Sequence, residues 1–250
     1  MSTAQRSKSN PETTDAVAQR EDLELKVSDL RKSFISPLNE RLEVLRGITF
    51  SAKAGETIAI MGPSAAGKST LLHLLGGLDA PDHGNIVLGS FDIDSASSDA
   101  IATFRAREVG FVFQFHYLLP DLTAVENVAL PMLMARTGHR EAISRATEAL
   151  ESTGLGSRST DRPAHLSGGE QQRVAVCRAL ITRPSIVLAD EPTGNLDESF
   201  VEKIGETLIS YSRTRPAIVV IATHNHKLAK VCDRVLTLTS GKVSETGTPV

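Results

Sequence analysis

Apolar runs of four or five residues, each closed by glycine or charge, alternate along this chain with longer stretches in which apolar residues recur every three or four positions. Continuous short runs between breakers predict strands buried on both faces, and the wider spacing predicts amphipathic helices. Strands are expected at 57–61, 85–88, 109–113, 185–189 and 217–222, and helices at 68–75, 99–107, 167 to about 181 and 198–211, with a short helix before the final strands. Earlier, 23–27 and 45–51 read as two strands separated by a polar turn region containing Ser36-Pro37-Leu38-Asn39. From about 115 to 162 the pattern is mainly helical, with Ile143, Ala146, Ala149 and Leu150 on one side of the run 140–152. Alternating strands and helices imply an α/β fold with a mostly parallel sheet, into which a helical subdomain over about 115–165 is inserted.

Composition narrows the possibilities. At 250 residues and 40% hydrophobic content the chain can bury the core of one large domain, expected over 23–250. Residues 1–22 are rich in Ser, Thr, Gln, Asn and charge and are expected to form a disordered tail. A net charge of −3 and a pI near 6.2 give no electrostatic case for nucleic acid as a partner. The two cysteines, Cys177 and Cys232, do not suggest a disulfide framework; they read as core residues of a protein in a reducing compartment. No apolar run reaches eighteen residues and the amino terminus lacks a secretory pattern, so the chain is expected to stay soluble and untranslocated.

Gly62-Pro63-Ser64-Ala65-Ala66-Gly67-Lys68-Ser69 fits the phosphate-binding loop G-x-x-x-x-G-K-S/T, between an expected strand and an expected helix. Glycines let the backbone wrap the phosphates, Lys68 would reach the β- and γ-phosphates, and the Ser69 hydroxyl would ligate Mg²⁺. Ala65 stands where many such loops carry glycine, which predicts a slightly stiffer loop. Asp190 and Glu191 close an apolar strand at its carboxyl end, where open α/β sheets place ligands. Asp190 would hold Mg²⁺, mostly through water, and Glu191 would orient or deprotonate the attacking water. Thr223-His224 ends the next strand in the same fashion, so the imidazole could reach the γ-phosphate, while Gln114 could bridge Mg²⁺ or water through its amide. Asp197 either caps the helix that follows or, with Gly194, touches a partner subunit. Phe34 either stacks on an adenine or packs in the core.

The octet Leu166-Ser167-Gly168-Gly169-Glu170-Gln171-Gln172-Arg173 begins a helix with bare backbone N–H groups, which together with the helix dipole attract an anion. The plainer alternative is a capped surface helix, with Ser167 as cap and Glu170 three residues on. Beside a phosphate-binding loop, the octet reads as a phosphate contact that needs the loop of a second copy to be complete.

In order and approximate spacing, these motifs resemble the ATP-binding cassette (ABC) family over about 23–245. The resemblance implies a P-loop ATPase of cassette type, with an antiparallel β part and a helical subdomain. It also implies ATP and Mg²⁺ as cofactors and a head-to-tail homodimer in which each ATP is clamped between one subunit's loop and the other's Ser167 to Glu170. Carried over by position, Lys68, Ser69, Thr70, Gln114, Asp190, Glu191 and His224 bind ATP·Mg or promote its hydrolysis, and Ser167 and Gly169 touch the γ-phosphate in trans. Asn225 departs from the family, which commonly has aspartate after the histidine.

Within the family, Leu71-Leu72-His73-Leu74-Leu75-Gly76-Gly77-Leu78-Asp79 and the stretch from Phe113 to Val128 resemble the LolD/MacB/FtsE-like group. That implies separate integral membrane permease subunits of the LolC/LolE kind, release of lipoproteins from the inner membrane, and a peripheral position on its cytoplasmic face. A MacB-type exporter ATPase and an FtsE-like regulator of a membrane partner are the alternatives. In this group the surface after the glutamine holds the permease's coupling helix, and Phe115, His116, Tyr117, Leu118 and Leu119 form a run too apolar for an ordinary solvated loop.

Overall fold

In a computed structural model, residues 22–194 and 198–246 are described. The strands are β1 (Glu24–Ile35), β2 (Arg41–Lys53), β3 (Thr57–Met61), β4 (His83–Leu88), β5 (Phe91–Asp92), β6 (Val109–Val112), β7 (Ile186–Asp190), β8 (Ile218–Ala222), β9 (Arg234–Thr239) and β10 (Lys242–Thr246). The α-helices are α1 (Lys68–Leu75), α2 (Ser98–Glu108), α3 (Ala124–Met134), α4 (His139–Ser152), α5 (Gly168–Leu180), α6 (Glu198–Thr214) and α7 (His226–Lys230).

Period-two alternation inside fully apolar strands decides the layering. In β7, Ile186 and Leu188 face one core while Val187 and Ala189 face another; in β8, Ile218, Val220 and Ala222 divide from Val219 and Ile221 in the same way. These strands are therefore buried on both faces, which a parallel sheet requires. The six-stranded sheet runs β10-β9-β3-β8-β7-β6, with β10 antiparallel and the other pairings parallel. A second sheet, β2-β1-β4-β5, is antiparallel. The first core lies between the sheets and takes in Leu71, Leu72, Leu74 and Leu75 of α1; the second covers the opposite face with Val176, Ala179, Val201, Ile204 and Leu208 from α5 and α6. A third, separate core joins α3, α4 and the Val174, Cys177, Ile181 face of α5 and its end. Helix α5 is thus the element shared between the helical part and the sheet.

Three departures from the sequence expectations have physical causes. β1 and β2 extend to Ile35 and from Arg41, leaving a short turn where a longer turn region was expected; their tips are mostly exposed and interrupted by register shifts, so no hydrophobic alternation marks them. The two-residue β5 carries no pattern of its own. The segment expected to turn helical at about 115 does so only at Ala124, where Thr123 and Glu126 form a reciprocal capping box. Before it, buried Asn127 stands in for helical hydrogen bonds: its Oδ1 accepts from Leu119 N at 2.8 Å, and its Nδ2 donates to the carbonyls of Leu119, Leu122 and Thr123 at 3.0–3.1 Å.

Both thiols are buried, and burial pushes Cys177 above its ordinary value and Cys232 up to about 12, which fits packing and not thiolate chemistry.

The paired glycines after α1 have a steric reason at the first of them. A Cβ on Gly76 would lie 2.0 Å from Phe111 Cζ and 3.0 Å from Leu188 Cδ1. Gly76→Ala is expected to destabilise the domain by about 1–3 kcal/mol, as overpacking of a filled core does. Urea unfolding measures this; an unshifted midpoint would mean that the Phe111 ring relocates without cost.

Candidate nucleotide-binding and catalytic site

Because β3, β8, β7 and β6 are adjacent and parallel, the loops at their carboxyl ends emerge along one edge of the sheet. Those loops carry the chemistry expected from the sequence. The glycine loop follows β3, Gln114 lies two residues beyond β6, Glu191 follows β7, and Thr223-His224 follows β8. A cleft of about 510 Å³ is lined by Phe34, Leu42, Val44, Ser64, Ala65, Gly67, Lys68, Ser69, Thr70, Gln114, Asp190, Glu191 and His224.

The loop backbone is tightly fitted. Gly62 has φ +155° and Gly67 φ +102°; a Cβ on Gly62 would lie 2.2 Å from the Leu238 carbonyl oxygen, and one on Gly67 would lie 2.8 Å from Val44 Cγ1. Both positions exclude a side chain. Ala65 holds φ +62°, a left-handed conformation unfavourable for alanine, so the stiffness expected from the sequence takes the form of backbone strain. The Lys68 ammonium donates to the carbonyls of Gly62 at 2.9 Å and Pro63 at 3.2 Å, folding it over the start of the loop.

Glu191 is also left-handed, at φ +44°, and its amide donates to Ala222 O at 2.8 Å, tying the end of β7 to β8. Its Oε2 lies 2.9 Å from His224 Nδ1 and accepts from His224 N at 3.2 Å; the carboxylate side chain is 12% exposed against 73% for the imidazole. A strained backbone aims a largely buried carboxylate into the cleft, with an exposed imidazole partner at its mouth. Asn225, where the family's usual aspartate is missing, caps α7: its Oδ1 accepts from Lys227 N at 2.9 Å and Leu228 N at 3.2 Å. An aspartate could make the same cap, so the departure leaves the loop's anchoring intact.

Phe34 is 42% exposed at the rim, with Lys32 Nζ 5.2 Å from its ring centroid. It is not part of the core, which removes the packing alternative. Asp197 lies outside the described residues, as do 1–21 of the expected tail.

The octet forms α5 as a capped helix. Ser167 Oγ accepts from Glu170 N at 3.3 Å, and Glu170 Oε2 accepts from Ser167 N at 2.8 Å and Ser167 Oγ at 2.9 Å, which holds the Glu170 carboxyl below its usual range. The cap does not close the helix start: Ser167 and Gly168 are exposed, and a Cβ on Gly168 would meet nothing within 4 Å. None of Ser167, Gly168, Gly169 and Glu170 lines the cleft of its own chain.

Sequence reasoning missed two side chains of α5. Gln172, 2% exposed, donates from Nε2 to the Pro192 carbonyl at 2.7 Å, fastening the helix to the turn just after Glu191. Arg178 donates from Nη1 to Tyr117 O and from Nη2 to His116 O, both at 2.7 Å. Backbone carbonyls are their partners, and no sequence pattern marks such contacts. In the loop after Gln114, Phe115 and Tyr117 are more than 60% exposed and Leu119 is 45% exposed, while Leu118 packs against the third core. Burial, then the neighbouring Arg178 charge, push His116 below the ordinary histidine value.

A glycine loop on a parallel sheet, two carboxylates two strands away across β8, and a serine-capped, glycine-started helix facing outward define a P-loop cassette. The chain belongs to the ABC transporter family, whose pattern it matches over residues 45–194, and it is an ATP-hydrolysing subunit of that family. It is 48% identical over 219 residues to the "Lipoprotein-releasing system ATP-binding protein LolD" of Geobacter metallireducens, covering 88% of this chain and 97% of that one. The LolD protein of Myxococcus xanthus is 47% identical over 206 residues, covering 82% and 92%. Among solved structures, the ATP-binding cassette MJ0796, a dimer in a post-hydrolysis state bound to ADP and Pi, superposes with a TM-score of 0.85 at 35% identity, over 90% of this chain and 99% of that one.

Proposed function

We propose that this chain is the motor of a lipoprotein-releasing transporter, a homodimer that binds and hydrolyses ATP at two composite sites on the cytoplasmic face of the inner membrane. One observation carries the composite site. The loop, strand-end carboxylates and histidine share a cleft, whereas the exposed glycine helix start of the same chain does not line it. A second copy placed head to tail brings Ser167 to Glu170 over that cleft, so ATP closes the dimer by bridging both subunits. That the MJ0796 cassette is a dimer supports the presence of a second copy.

In each site Gly62 to Thr70 hold the phosphates, Phe34 stacks on the adenine, and Ser167 and Gly169 of the second copy reach the γ-phosphate. The donor set suits a hard divalent cation: the Ser69 hydroxyl, the Gln114 amide oxygen and the Asp190 carboxylate are oxygen ligands on one cleft. Mg²⁺ bound there offsets phosphate charge. Glu191 orients and deprotonates the attacking water, and His224, whose side chain is mostly exposed, reaches the γ-phosphate. Gly194 and Asp197 contact the second copy.

No helix among the described residues is long and apolar enough to cross a membrane. Work on a membrane cargo is assigned to separate permease subunits of the LolC/LolE kind, a reading that the identity to LolD proteins supports. Phe115, Tyr117 and Leu119 are their docking face, and the high identity to LolD proteins favours lipoprotein release over MacB-type export or FtsE-like regulation.

Mixed dimers test the composite site. Lys68→Ala in one subunit and Ser167→Arg in the other put both lesions in one site and spare the second, so activity survives in part. The same two lesions in one chain, paired with wild type, damage both sites and activity is expected to fall much further. The reverse pattern would place Ser167 with its own chain's loop and overturn the head-to-tail reading.

A further inference from the structure

We propose that Arg178 is the positioning residue that makes the permease-docking loop move with the helix that senses the partner subunit's ATP. This rests on the docking face assigned above to Phe115, Tyr117 and Leu119.

The Arg178 guanidinium grips two successive carbonyls, His116 O and Tyr117 O, each at 2.7 Å, and most of its side chain lies between α5 and the loop. A planar fork holding two acceptors fixes orientation as well as distance, which a lysine cannot do. The loop is held in an unusual shape at that point. Tyr117 has φ +45°, a left-handed conformation uncommon for an aromatic residue, and its ring stacks edge-on against Phe113 at 5.3 Å while remaining mostly exposed. Strain of this kind persists where surrounding contacts over-determine the backbone, and Arg178 supplies those contacts.

The other end of the same helix gives the strap its purpose. Ser167 caps α5 eleven residues before Arg178, about 16 Å along the axis at 1.5 Å per residue. Gln172, between them, fastens the helix to Pro192 beside Glu191. A shift of α5 when a nucleotide engages its amino end is therefore delivered to the docking loop at Arg178. Asn127 holds the far half of the loop, at Leu119 and Leu122, to α3. The exposed rings thus hang between two helices, and Arg178 is the side chain that ties them to α5.

The test compares the free homodimer with the dimer bound, in lipid vesicles, to the permease recovered with the wild-type chain. ATPase activity is measured across ATP concentrations for Arg178→Met, Arg178→Lys and Phe115→Glu. Arg178→Met is expected to keep kcat and KM of the free dimer within about twofold, to assemble with the permease, and to lose about threefold to thirtyfold of the permease-stimulated kcat, the range for side chains that carry coupling. Arg178→Lys, retaining the charge and one carbonyl, should fall between. Full stimulation in both arginine variants overturns the proposal, and so does a parallel fall of free and bound activity, which marks a purely structural role. If Arg178→Met does not fold, Arg178→Lys decides by the same criterion. Normal coupling in Phe115→Glu would instead remove the docking face on which the proposal rests, whereas uncoupled Phe115→Glu beside fully coupled arginine variants removes the strap alone.

Discussion

Glu191→Gln is expected to bind ATP normally and to lose about 10²- to 10⁴-fold in turnover, the span of a general base's contribution. The carboxylate lines the nucleotide cleft, is largely buried, and is aimed by a left-handed backbone that an isosteric amide can adopt equally well. The amide oxygen still accepts from the His224 backbone N–H but cannot take a proton from water. Binding contacts along Gly62 to Thr70 are untouched, so ATP continues to draw two subunits together. An ATP-dependent dimer should accumulate on size exclusion while phosphate release stops. Turnover at the wild-type rate would remove Glu191 from the chemistry and direct attention to Asp190 or His224.

The second large effect is expected at the apolar loop. Phe115→Glu should abolish permease-stimulated ATP hydrolysis while the free subunit hydrolyses ATP at its ordinary rate. Phe115 is 63% exposed, and its ring lies edge-on to Tyr117 at 6.3 Å between centroids, so a charge there disturbs little within the chain. The same charge in an apolar protein interface is left unpaired and desolvated, a penalty of several kcal/mol that assembly cannot offset. Leu118 is a poorer probe: it packs on the third core, and a charge there damages the fold as well as the surface. Co-purification of the permease with the variant, followed by its ATPase ratio, reads the result; equal loss in free and bound states would make Phe115 a folding residue.

Periodicity and local chemistry made much of this molecule legible. β3, β7 and β8 were visible because a strand buried on both faces must be apolar throughout, α5 because cap, glycines and apolar spacing agree locally, and α1 and α6 by their apolar spacing. The tips of β1 and β2 were illegible because half-exposed antiparallel strands with register shifts carry no clear alternation. The loop 115–122 misled for another reason: its apolar content is that of a helix, but Asn127 satisfies its backbone from α3 and leaves its rings outside.

The glycine loop, the strand-end carboxylates and the octet were determined by the sequence itself, since each is a local arrangement of backbone donors, acceptors and turn-permitting residues. Only the tertiary structure decided that Glu191 meets His224, that Phe34 stands at the rim of the cleft, and that Gln172 and Arg178 fasten α5 to two different loops. These contacts join residues far apart in the chain, often through backbone carbonyls that every residue possesses. Which of those carbonyls a side chain reaches depends on how helices and sheets pack, and no local pattern records it.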